Sequence, residues 1–121
     1  MEREGIDLDL DFDESIDLDP YTLFRRLKEG RPPLLLALSP TDPALSAAQP
    51  WSPESPLPEA REIVLVDQDG TIARPLARRL QAEGHRHVRA LFGGITLYDY
   101  CLDPRVVGDE RFLREPDEPG D

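Results

Sequence analysis

Residues 63–95 read IVLVDQDGTIARPLARRLQAEGHRHVRALFGGI. Ile63-Val64-Leu65-Val66 is an uninterrupted apolar run, too short for a helix and without the alternation of a strand that shows one face to water. It reads as a strand buried on both faces, the pattern of a parallel sheet covered by helices. After the turn Asp67-Gln68-Asp69-Gly70-Thr71, the residues Ile72, Ala73, Leu76, Ala77 and Leu80 share a core-facing helical stripe. Arg74, Arg78, Arg79 and Glu83 take the water face, and Gly84 ends the helix. Pro75 belongs in the first turn, so the helix begins between Ile72 and Arg74. His87 to Phe92 is a further strand, closed by Gly93-Gly94. A short helix from Ile95 to about Leu102 then packs through Ile95, Leu97, Tyr98 and Cys101. Strand, helix, strand with a connection of this length is a right-handed crossover onto a parallel sheet.

Upstream, Asp19 reads as an N-cap and Pro20 as the first helical position. Leu23, Phe24 and Leu27 form one stripe, and Gly30 is the stop. Leu34-Leu35-Leu36-Ala37-Leu38 repeats the signature of a strand buried on both faces. From Pro40 to Pro58 there are six prolines in 19 residues, which excludes a continuous helix or central strand and predicts a long irregular connection anchored by Trp51. Residues 6–13 alternate apolar and acidic side chains. That is the period of a half-buried strand, but four aspartates on one face repel. The segment is either a solvated extension or an edge strand able to pair with a partner's sheet, including that of a second copy.

The chain has 121 residues and a net charge of −11, so it makes one domain at most. The acidity sits at the ends: residues 1–20 carry nine acids against one base, and residues 109–121 carry six against two. The expected division is an acidic extension over 1–15, a domain over 16–105 containing the Pro-rich connection 40–58, and an acidic tail over 106–121. No basic field exists to attract nucleic acid or an anionic membrane. No window approaches the apolar length of a membrane span, and the acidic first residues are unlike a secretory leader. The expected location is the cytoplasm, and the single Cys101 is compatible with a reducing compartment.

The turn at 67–72 lies between the end of a parallel strand and a helix N-terminus, where free backbone N–H groups and the helix dipole converge on anions. The stretch from Ile63 to Ile95 resembles the C-terminal half of a rhodanese (sulfurtransferase) domain. In that family a strand ends in the persulfide-carrying Cys, and a loop of pattern C-x-x-G-x-R-S follows. A helix then ends in G-[FH]-x-x-V, and x-L-x-G-G closes the pattern. Gly70 falls on the loop glycine, Gly84 and Val88 on the helix end and next strand, and Leu91, Gly93 and Gly94 on the diglycine signature. The nucleophile position holds Asp67, and the loop Arg and Ser positions hold Ile72 and Ala73. The resemblance extends loosely over 16–102: the segment from Asp19 to Gly30 resembles the family's first helix and Leu34 to Ser39 its second strand. That strand's usual Asp and Arg are Ala37 and Ser39, and the family's G-H-I-P-G-A segment has no counterpart.

The fold implied is three-layer α/β/α with a small parallel sheet, a truncated rhodanese-like domain. A carboxylate cannot form a persulfide, so the resemblance implies a catalytically inactive member. Such a member would be a binding or regulatory module with no cofactor, whose loop Asp67, Gln68, Asp69, Gly70, Thr71 and Ile72 contacts a protein partner. The Asp67 carboxylate is expected to accept the loop N–H bonds itself, in place of the missing anion.

The same turn also spells apolar run, D-x-D-G-T, the first motif of the haloacid dehalogenase phosphatases. In that chemistry the first Asp is the nucleophile, the second the general acid, and Mg²⁺ lies between them. Asp67 and Asp69 are thus weak metal candidates. The mechanism also needs a Lys and a downstream acidic pair; the one Lys, Lys28, lies upstream, and Asp99 and Asp103 are the nearest aspartates after the turn. Residual sulfurtransfer through Cys101 is a further enzymatic alternative, although that Cys falls on the short helix. His85 and His87 share a face if residue 87 is extended, but lack a third ligand. Arg74 and Arg78 form a solvated helix face or a docking patch for acidic chain, the N-terminal segment included.

Overall fold

The computed structural model describes residues 12–41, 44–102, 104–108 and 111–114. The chain runs β1 (Asp17–Leu18), α1 (Pro20–Lys28), β2 (Leu34–Ala37), β3 (Ala44–Leu45), β4 (Gln49–Pro50), β5 (Ile63–Val66), α2 (Ala73–Ala82), β6 (Val88–Leu91), α3 (Gly94–Cys101), α4 (Pro104–Val107) and β7 (Leu113–Arg114). Five strands form one parallel sheet in the order β1-β6-β5-β2-β4. β3 and β7 make a separate antiparallel pair.

Alternation along the apolar runs splits the core into two layers. Leu35, Val64, Val66 and Leu91 point to one face, where Leu23 and Leu27 of α1 and Ile95, Tyr98 and Leu102 at α3 cover them. Leu36, Ile63, Leu65, Val88 and Ala90 point to the other, under Ala73, Leu76, Ala77 and Leu80 of α2. β5 is buried at all four positions, as a central strand between two helical layers must be. The expected three-layer α/β/α arrangement is therefore present.

Asp19 caps α1 as its sequence position implies, accepting from the N–H (3.1 Å) and hydroxyl (2.6 Å) of Thr22. The Pro-rich connection contributes an outer strand: β4 pairs with β2 at Leu36–Gln49 and Ala37–Pro50. A proline is compatible with that place because an edge residue needs no second N–H ladder. Trp51 anchors the connection, its backbone N–H donating to Ala37 O at 3.0 Å and its indole N–H to Pro56 O at 3.1 Å. The opposite edge strand, β1, escapes sequence analysis because two residues carry no periodicity. Of the alternating segment 6–13, residues 6–11 lie outside the described residues. Phe12 packs edge-on against Phe92 with ring centroids 5.2 Å apart.

Within the C-terminal segment, Phe112 packs on Phe24 and β7 pairs with β3, while Tyr98 donates its hydroxyl to Arg111 O at 2.8 Å. Burial holds the Tyr98 phenol well above its ordinary value. No helix among the described residues is long and apolar enough to cross a membrane.

At the N-terminal end of the sheet, Glu62 ties three elements together. It accepts from Arg26 of α1 through both oxygens (2.6 and 3.1 Å) and from Arg89 of β6 at 3.2 Å. These hydrogen bonds, Arg26 foremost, hold the Glu62 carboxyl below its ordinary value of 4.5. A lowered carboxyl contributes stability above its unfolded-state value and loses it as pH falls through the folded-state one. Because the group is partly exposed, Glu62→Gln should cost at most about 1 kcal/mol at pH 7. In urea unfolding, the gap between variant and parent should close as pH drops through and below the ordinary glutamate range.

Candidate functional site

The loop after β5 is built around one buried carboxylate. Asp67 is 1% exposed. Its Oδ1 accepts the N–H of Gly70 at 2.7 Å, and its Oδ2 accepts those of Ile72 at 2.8 Å and Ala73 at 3.0 Å. α2 begins at Ala73, and its N-cap residue, Ile72, has no side-chain acceptor. Asp67 therefore caps this helix from six residues upstream, placing negative charge where the orphan N–H groups and the positive end of the dipole converge. The expectation that Asp67 fills the loop's own N–H cradle matches this geometry.

The second carboxylate is turned elsewhere. Asp69 Oδ1 accepts the hydroxyl (2.7 Å) and the N–H (3.1 Å) of Thr71, which hold its carboxyl below the ordinary value. Gln68 donates its amide to Thr96 Oγ1 at 3.1 Å. The start of α3 completes the loop's frame: Ile95 N–H donates to Asp67 O at 3.0 Å and Thr96 N–H to Gln68 O at 2.9 Å. Gly94 makes this approach possible. It has φ +64°, and a Cβ there would lie 2.6 Å from Asp69 N and from the Gln68 carbonyl. Ile72 is left 55% exposed at the loop's end.

Asp67 and Asp69 share a loop without sharing a ligand position. Both Asp67 oxygens face backbone donors, which take three of the roughly four lone-pair sites of the carboxylate. The same contacts leave Asp67 buried rather than aimed at a substrate as a nucleophile. His85 and His87 do meet, ring centroids 6.2 Å apart and edge-on. No group of three or more His, Cys, Asp or Glu able to hold a metal occurs among the described residues. Cys101 lies on the last turn of α3, half-buried, its carbonyl accepting the Tyr21 hydroxyl at 3.1 Å.

Sequence analysis places Arg74 on the water face of its helix, and the structure corrects this. Arg74 reaches Asp17 of β1 by two contacts, Nε to Oδ1 at 3.1 Å and a terminal nitrogen to Oδ2 at 3.0 Å. Its guanidinium also lies 6.0 Å from the Phe92 ring centroid. Asp17 is 1% exposed, and the guanidinium supplies the hydrogen bonds and countercharge that offset burying its carboxylate. Arg78 alone of the two remains exposed. Nothing at Asp17 signals this pair in the sequence, because its partner lies 57 residues away.

Replacing Gly94 by alanine should destabilise the domain by about 3 kcal/mol or more, since positive φ and backbone overlap act together. Urea unfolding would show it, with Gly84→Ala as comparison: that glycine also has positive φ, at +108°, but open space around it.

Compared with protein-family models, with curated proteins and with solved structures, the chain finds no match.

Proposed function

We propose that this chain is a rhodanese-like domain in which Asp67 stands at the nucleophile position. On this reading it is catalytically inactive and serves as a binding or regulatory module for a protein partner in the cytoplasm. The observation that carries this reading is the closure of the loop on itself. A cradle that would receive an anionic substrate at its N–H groups already holds the Asp67 carboxylate, and that side chain cannot accept a sulfane sulfur. The motif correspondence at Gly70, Gly84, Val88, Leu91, Gly93 and Gly94 supports the family reading. The buried position of Asp67 disfavours the Mg²⁺-dependent phosphatase, whose nucleophile must meet substrate and metal.

Thermal unfolding of the parent and of Asp67→Ala, each with sulfate, thiosulfate, phosphate or Mg²⁺, tests the reading. Removing the carboxylate orphans three N–H groups and should cost about 2–4 kcal/mol. Sulfate or thiosulfate should then stabilise the variant and leave the parent unmoved; a site filled at 100 times Kd returns about 2.7 kcal/mol. Stabilisation of the parent by Mg²⁺, lost in the variant, would instead make the turn a metal site and revive the phosphatase. An anion response equal in both proteins would overturn the closed-cradle argument.

The alternating acidic segment supports a second element of the proposal, pairing of residues 6–13 with a neighbouring sheet edge to give a homodimer. Sedimentation should then show a dilution-dependent dimer for the full chain and a monomer for a chain lacking residues 1–14. A monomeric full chain at all concentrations would remove the pairing.

A further inference from the structure

A cleft of about 620 Å³ opens beyond the C-terminal ends of β2 and β4, on the far side of β5 from the β5–β6 pair. Ala37 and Val66, the last residues of β2 and β5, are paired in register and both line it. The chain leaves β2 outward to β4 and leaves β5 in the opposite direction to β6, so the strand order reverses between these two strands. Crevices at such reversals are where open α/β sheets take ligands.

The lining has a definite chemistry. Its walls include Leu45, Ala48 and Val66 from one core layer and Leu38 and Trp51 from the other, so the cleft bridges the two layers over the edge of the sheet. Its polar side chains are the hydroxyls of Ser39, Thr41, Ser52 and Ser55. Ser52 Oγ accepts Glu54 N–H at 3.2 Å and so keeps its own proton to give. Among the described residues no charged side chain lines the cleft, in a chain of which 32% is charged.

We propose that this cleft is a binding site for a small, uncharged, largely apolar molecule carrying a hydroxyl or similar hydrogen-bonding group. The volume falls in the range of small-molecule sites, and apolar walls with a few polar groups are their usual make-up. An anion or a cation would lose its hydration on entry and find no countercharge among these side chains. The half-buried indole of Trp51 supplies a flat wall, and its N–H is already given to Pro56 O, so it offers its face and not a hydrogen bond. This site is separate from the closed loop at Asp67 and does not depend on the reading given to that loop.

Trp51 is the one tryptophan in the chain, so it reports on the cleft directly. The probe is N-phenyl-1-naphthylamine, an uncharged fluorophore, set against 8-anilinonaphthalene-1-sulfonate, its sulfonated analogue. Excitation of the full-length protein at the tryptophan band should give energy transfer to the uncharged probe with saturation at one equivalent. The sulfonated probe should bind at least tenfold more weakly. Ala48→Phe, which fills the cleft, should weaken the uncharged probe at least tenfold. Ser39→Asp, an exposed change that leaves the core intact, should weaken it as well and keeps the test decisive if Ala48→Phe fails to fold. Equal affinity for the two probes, binding without transfer from Trp51, or binding unchanged in Ser39→Asp would each overturn the proposal.

Discussion

The carboxylate of Asp67 is the constraint around which this end of the molecule is arranged. A strand that ends under a helix N-terminus leaves the first N–H groups of that helix without partners from the helix itself. Asp67 takes two such groups, those of Ile72 and Ala73, together with the Gly70 N–H of the turn, on its two oxygens. The loop therefore has one compact shape, and everything placed against it can be placed closely. α3 starts by donating to the carbonyls of Asp67 and Gln68, which requires the backbone at residue 94 to touch the backbone at residues 68 and 69, and only glycine allows that distance.

The same arrangement decides what chemistry the loop can carry. Backbone N–H groups pointed at one spot are an anion receptor when the spot is empty and a structural cap when it is filled from within. Asp67 makes the second case. On the proposed reading, like charge and donors already taken both work against an incoming anion at this loop.

Much of the fold was legible in the sequence because the legible parts are buried on both sides. Ile63 to Val66 and Leu34 to Leu38 could only be internal strands, and Asp19-Pro20 could hardly be anything but a helix start. The Asp67 cap was also readable, as one of the roles open to a carboxylate between a strand end and a helix start. The outer strands were not readable. β1 and β4 have two residues each, below the length at which a period exists, and β4 ends in a proline that argues against strand when taken alone. Their pairing comes from neighbours: Ala90 and Phe92 donate to Ile16 and Leu18, which no local rule could foresee.

Arg74 shows the limit most clearly. Its position opposite the core stripe of α2 says solvent, yet β1 brings Asp17 beneath it, and a carboxylate that is 1% exposed must have its oxygens satisfied, here by the guanidinium. The pair follows from the sheet order and not from helical spacing. Once β1 is the outer neighbour of β6, the C-terminal side of that edge lies under the first turn of α2, and the nearest long cationic side chain is Arg74. Phe92, at the end of β6, then stacks under the guanidinium on one side and meets Phe12 on the other. This stack ties Phe12, the first described residue, to the end of β6 and to the first turn of α2.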